Sequence, residues 1–297
     1  MMWRQIVSQW IRQTASQTLQ EVVSEAARGA HYRFGEKGGV AAQASPCALV
    51  AVFGVSVESG GTVDLLRDAV SMRCPNFIEH TGHLGGTRLA VIESGLGRQA
   101  AATAMSDVIA LHHPQWVISA GFACGLSASL RRGHILMADE VVDAEHQRLP
   151  IDLPVDRASV AATRTQHIGR LLSVNQLVRS REEKNRLATA YQALACDMET
   201  MAVAQACRRE NIRFLSVRII TETVEEELPR EIERLLAQKS IAARLGAATG
   251  AIFNRPSRIK DLWKLKEDAL QASDRLAKFL AGVVAQLPAG PSPQGGE

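Results

Sequence analysis

Apolar residues in this chain gather in short dense runs, separated by stretches where they recur about every three to four positions. The runs "CALVAVFGV" (47–55), "TRLAVIESG" (87–95), "PQWVISAGF" (114–122), "HILMADEVV" (134–142), "RLLSVNQLV" (170–178) and "RFLSVRIIT" (213–221) have the length and texture of buried strands. Residues 98–112 and 199–210 between them carry helical spacing. Strands that are apolar on both faces need helices on both faces. The pattern therefore predicts an α/β fold, a single domain over 47–286 with a mostly parallel or mixed central β-sheet flanked by helices. Residues 1–30 read as an amphipathic helix with Trp3, Ile6, Val7, Trp10 and Ile11 on one face, and a Gly/Ser/Pro-rich linker completes a segment over 1–46. Residues 230–286 are helical in pattern, with Leu262, Leu265, Ala269, Leu276 and Leu280 among charged residues, and 287–297 is expected to be a disordered tail.

Composition narrows the function class without naming one. A hydrophobic share of 46% with 22% charged residues is that of a soluble globular protein. The formal net charge of +3, with Lys and Arg scattered, gives no basic stripe and argues against nucleic acid as a partner. Five cysteines without a CxxC pair fit reduced thiols and no zinc site, so no metal is expected. No run is long enough to span a bilayer, and polar residues interrupt the N-terminus where a signal peptide has its apolar centre. A cytoplasmic location is the expectation. The N-terminal helix is expected to pack on the domain or on a partner subunit. Membrane association through it is the disfavoured alternative, because its polar face is poor in lysine.

The chemistry concentrates in three stretches. "ESGLGRQAAATA" places a G-x-G-x-x-A turn between a strand and a helix. The acid that a dinucleotide site expects after the next strand is missing, since "WVISAG" ends in Ser119, Ala120 and Gly121. The turn still suits an anion or a ribose edge, or is a bare strand-to-helix connection. "ISAGFACGL" offers small residues that let backbone approach a flat ligand. "CDMETMAVAQACRRENIRFLSVRIITE" opens a helix on Asp197, Met198 and Glu199 and closes the following strand on Glu222. Asp197 reads as a cap. Glu199 belongs to the apolar stripe and points inward, where a carboxylate is costly without a partner or a task. A helix and the next strand can bring Glu199 and Glu222 to one cleft, in surroundings that separate their protonation.

These three stretches, in this order and spacing, resemble the nucleoside phosphorylase and nucleosidase superfamily, which includes purine nucleoside phosphorylases and methylthioadenosine/adenosylhomocysteine nucleosidases. The likeness runs over about residues 47–228. "RPSRIKDLWKLKEDAL" is more weakly similar to the hopanoid-associated phosphorylase branch. The resemblance implies a phosphorylase-type fold and cleavage of the N-glycosidic bond of a purine nucleoside or 5′-modified nucleoside, by hydrolysis or phosphorolysis. It also implies a homo-oligomer and no cofactor, with phosphate as co-substrate in the phosphorolytic case. Carried over by position, Glu199 binds the ribose hydroxyls and Met198 packs on the sugar. Glu222 protonates the leaving base, and Glu58 stands near the acid that activates water. Ala120, Gly121, Phe122, Ala123 and Gly125 line the pocket, and Gln176, Leu177 and Val178 touch the base. Ser94, Gly95 and Arg98 are the candidates for an anion cradle.

Three departures stand out: Glu at 222 where the family has Asp, Cys124 where its turn has Gly, and Phe122 where several nucleosidases have Ser. They leave room for a catalytically impaired nucleoside-binding or scaffold protein of the same fold. The chemistry is coherent either way, since breaking the bond needs a proton on the base and negative charge beside the sugar as it becomes cationic.

Overall fold

The strand that carries Glu222 is held on both sides, and much of the architecture follows from that. The structure, a computed structural model, describes residues 46–153, 155, 157–227 and 257–287. The expected N-terminal helix and linker, the helical pattern over 230–256 and the tail from 288 lie outside the described residues. The described residues belong to one unit spanning 45–297. In chain order its elements are β1 (Leu49–Phe53), α1 (Ser56–Asp64), β2 (Arg67–Arg73), β3 (Ile78–Leu84), β4 (Thr87–Glu93), α2 (Arg98–His112), β5 (Trp116–Gly125) and β6 (Ile135–Asp143). Then come β7 (Arg148–Pro150), α3 (Arg157–Ala161), β8 (Gln166–Ser173), α4 (Arg181–Tyr191), β9 (Ala195–Asp197), α5 (Thr200–Arg209), β10 (Arg213–Glu222) and α6 (Ser257–Gln286).

The sheet is mixed, with strand order β10-β6-β8-β9-β5-β1-β4-β3-β2, and β10 also pairs with β5. Strands β5, β10, β6, β8 and β9 therefore close into a ring, and β1, β4, β3 and β2 extend from β5 as an open arm. Along β10 and β5 the parallel register is regular from Arg213↔Trp116 to Ile220↔Ala123, then shifts so that Glu222 faces Cys124. Thr221 is thus a bulged extra residue immediately before the acid, a device that re-aims a side chain.

Five of the six anticipated strands coincide with β1, β4, β5, β6 and β10. The sixth begins earlier than its apolar run, at Gln166, and ends at Ser173, so Gln176, Leu177 and Val178 lie in the connection after it. The helices over 98–112 and 199–210 form as α2 and α5. Their small apolar faces (Ala101, Ala104, Met105 and Val108 with Ala202, Val203, Ala206 and Cys207) pack over one side of β1, β4 and β5. Leu276, Leu280 and Val284 of α6 join the larger core on the other side. Helix α6 comes so close to α1 that a Cβ on Gly61 would lie 2.8 Å from the carbonyl of Ser273. Among the described residues no helix is long and apolar enough to cross a membrane.

Candidate active site

Two helix starts and two strand ends converge on a group of buried charges. Glu58 sits in the first turn of α1, and its Oε2 accepts the N–H groups of Gly54 (2.9 Å) and Val55 (3.2 Å). This is the acid's half of a capping box, the residue reaching back to the helix start. Its Oε1 accepts the Phe122 N–H of β5 at 2.8 Å. Ser273 of α6 braces the same helix from behind, donating to the Glu58 carbonyl (3.1 Å) and accepting the Gly61 N–H (2.9 Å).

Glu199 occupies the N-cap of α5, and its Oε1 accepts the Gly97 N–H at 2.6 Å. Gly97 carries φ +89°, a conformation that favours glycine, and so aims its N–H inward before α2 begins. Capping of α5 falls to Asp197, as expected: its Oδ2 accepts the Thr200 N–H (2.9 Å) and the Thr200 hydroxyl (2.5 Å), while its Oδ1 accepts Ser173 Oγ (2.9 Å). Asp197 also ion-pairs with Arg218 at 2.7 Å.

Arg218 was not among the residues singled out from the sequence as site residues, yet it sits at the centre. It is 1% exposed, and its Nη2 donates to Ser119 Oγ (2.6 Å) and Thr200 Oγ1 (2.5 Å). Its Nη1 and Glu58 Oε1 lie 2.5 and 2.9 Å from the point that a Cβ on Gly121 would occupy, which explains the glycine there. The available signal was a charge inside an apolar strand, "SVRII", which survives burial only when paired.

Three buried carboxylates face this one guanidinium, and their proton affinities respond. Burial pushes the Glu199 carboxyl up to about 8, helped by the neighbouring Asp197 and Glu58 charges and opposed by Arg218 and the Gly97 bond. Burial likewise raises Glu58, against Arg218 and its backbone donors. A cluster of this kind favours a cation developing beside it.

Glu222 lies at the same end of β5. Its register partner Cys124 is two residues beyond Phe122, roughly 7 Å along an extended strand. Burial raises its carboxyl too, opposed by Lys184, whose Nζ stands 3.5 Å from Oε2. Cys124 also faces Cys196 across β5 and β9, and a hydrogen bond between the thiols together with burial pushes Cys196 up.

The remaining sequence candidates divide. Ala120, Gly121, Ala123 and Gly125 are buried along β5, Phe122 is half-buried, and Met198 lies between Asp197 and Glu199. Val178 is buried, Leu177 partly so, and Gln176 is exposed. The structure does not bring Ser94, Gly95 and Arg98 together as an open cradle. The Ser94 hydroxyl donates to the carbonyl of Phe53 and the Gly95 N–H to that of Gly54. Arg98 turns to Asp143 and Glu145, each at 3.3 Å. Among the described residues no group of His, Cys, Asp and Glu could hold a metal.

The comparisons with known proteins support a glycosyl-bond-cleaving enzyme. The chain belongs to the phosphorylase superfamily, whose sequence profile matches residues 53–252. It is similar to the 5'-methylthioadenosine/S-adenosylhomocysteine nucleosidase of Staphylococcus aureus (strain JH9), with 26% identity over 221 residues, 66% of this chain and 95% of that protein. The corresponding nucleosidase of Neisseria meningitidis, solved with methylthio-immucillin-A, superposes with a TM-score of 0.61 at 21% identity, covering 81% of this chain and all of that one. A futalosine hydrolase mutant of Helicobacter pylori strain 26695 gives 0.60 at 18% identity over 80% of this chain and 99% of its own.

Proposed function

We propose that this protein hydrolyses the N-glycosidic bond of a 5′-modified adenosine, with water as the nucleophile. The observation that carries the choice of water over phosphate is the state of the glycine turn. The N–H groups of Ser94, Gly95 and Gly97 are all paired within the protein, the last with the Glu199 carboxyl, and Arg98 is engaged by two acids. A phosphate dianion placed there would find the Gly97 N–H already taken by the Glu199 carboxyl and Arg98 already paired with acids, in place of free N–H groups and a free cation. The named activities of the similar nucleosidases support the same reading.

In this reading Glu222 donates a proton to the leaving base. Glu199 holds the sugar hydroxyls and stabilises the cationic sugar as the bond lengthens. Glu58, whose proton affinity burial has raised, accepts a proton from the attacking water, and Arg218 holds the acids in place. The decisive experiment measures free adenine released from 5′-methylthioadenosine, S-adenosylhomocysteine and adenosine, with and without phosphate. Release that is independent of phosphate, and faster for the 5′-modified substrates, is expected. A strict phosphate requirement with formation of a sugar 1-phosphate overturns hydrolysis. Binding of all three without turnover points to the impaired, nucleoside-binding alternative.

A further inference from the structure

Helix α4 looks like a solvated surface helix. Arg181, Glu182, Asn185 and Arg186 are exposed, and Ser180 caps its start through the Glu183 N–H at 3.2 Å. Lys184 alone in that charged stretch is fully buried, a rare fate for a lysine. Its Nζ donates to the carbonyls of Thr223 (3.0 Å) and Glu226 (2.5 Å) and approaches Glu222 Oε2 at 3.5 Å. One ammonium therefore grips the turn after β10 at two points and the terminal carboxyl of β10 at a third. That carboxyl follows the Thr221 bulge and hangs on a side chain with one methylene more than the aspartate of the family pattern.

We infer that Lys184 is a positioning residue for Glu222, fixing the strand end and holding the longer side chain's carboxyl in the place from which it reaches the leaving base. The inference rests on the proposed role of Glu222 as the proton donor. Lys184 also acts through charge. The groups facing Glu222 are Lys184 from α4, Arg132 from the β5–β6 connection, Glu226 from the turn after β10, and the thiols of Cys124 on β5 and Cys196 on β9. Burial raises the Glu222 carboxyl, while Lys184 is the foremost opposing influence, with Arg132 behind it. Without Lys184 the acid keeps its proton to higher pH but stands in the wrong place.

The test compares kcat against pH for 5′-methylthioadenosine cleavage in the wild type, Lys184→Met, Glu222→Gln and the double variant. Lys184→Met is expected to lower kcat by about tenfold or more and to move the alkaline limb of the profile up by about 1–3 pH units, the range for losing an adjacent opposite charge. On the Glu222→Gln background the same substitution should cost nothing further, because its partner is already gone. A rate loss with an unmoved limb, repeated at full size in the double variant, overturns the proposal and leaves Lys184 a packing residue.

A second readout needs neither turnover nor a folded Lys184→Met. The Nζ resonance of Lys184 should show an inflection as Glu222 titrates in the wild type and none in Glu222→Gln. Absence of that inflection in the wild type also overturns the proposal. A wild type that releases no adenine refutes the proposed function, while the resonance still decides whether Lys184 and Glu222 are coupled.

Discussion

Replacing Gly121 by alanine probes the arginine–carboxylate cluster where it is tightest. The added Cβ would stand 2.5 Å from Arg218 Nη1 and 2.9 Å from Glu58 Oε1, whereas ordinary contact begins near 3.4 Å. One of the two groups must retreat by roughly 1 Å, a misplacement that can cost about 100-fold in rate. Glu58 is tied by three backbone N–H groups and Arg218 by Ser119, Thr200 and Asp197 at 2.5–2.7 Å, so neither moves freely. The backbone adds strain, since Gly121 has φ +154°. Forcing an extra methyl into such a site costs about 1–3 kcal/mol of stability. The expected result for Gly121→Ala is a kcat for adenine release about 100-fold below wild type, with the urea midpoint lowered by a shift consistent with that loss. Wild-type kcat together with an unchanged midpoint would show that the cluster tolerates displacement, and would refute the claim that its geometry is held at this point.

Three further outcomes follow from the same charges. Glu199→Gln should abolish turnover while the protein stays folded. Because burial holds the native Glu199 proton to about pH 8 against an ordinary 4.5, ionising it costs stability progressively between those values, so the variant should melt higher than wild type at pH 8 and level with it near pH 4.5; a lower melting point at pH 8 would contradict this. Glu222→Ala should lose about 10²–10⁴-fold in rate, as for a positioned general acid, and Glu222→Asp should also be slower than wild type if the site is adapted to glutamate. A gain with Asp indicates a decayed site instead. His112→Ala strips the partner from buried Glu79, 3.1 Å away, and should cost about 3–5 kcal/mol in urea unfolding at pH 6. Burial works against the His112 charge, but Cys47 and Glu79 outweigh it and raise the imidazole to about 9. Its contribution is thus complete below about pH 6.5 and lost through pH 9, and the gap between variant and wild type should narrow over that window.

The legible parts of the fold were those where apolar density and burial coincide. Strand β2, "RDAVSMR", is exposed at nearly every position and sits on the edge of the open arm, so no apolar run announces it. Helix α1 has two glycines and little apolar periodicity, because one face is tuned to the close passage of α6. The three-residue strand β9 is too short for any period to register. In the site, Glu58, Glu199 and Glu222 stood out as acids in apolar settings or by resemblance. Lys184 could not, since "REEKNR" is the sequence of a solvated face and only tertiary packing removes one member from water. Arg98 shows the converse: a cation beside a glycine turn reads as an anion site, and nothing local in the sequence shows that the fold sets Asp143 and Glu145 against it.

A ring of strands has no free end at which an inserted residue can be discharged. Strand β10 is fastened to β5 along its length and to β6 at Val217, Arg218 and Ile219, so it cannot slide to absorb Thr221. The surplus stays trapped as a kink one step before Glu222. Removing Thr221 would restore the even register, leaving the acid opposite Cys124 but without the kink that aims its side chain. The aim of Glu222 is thus set by one surplus residue that a closed hoop of strands has no room to release.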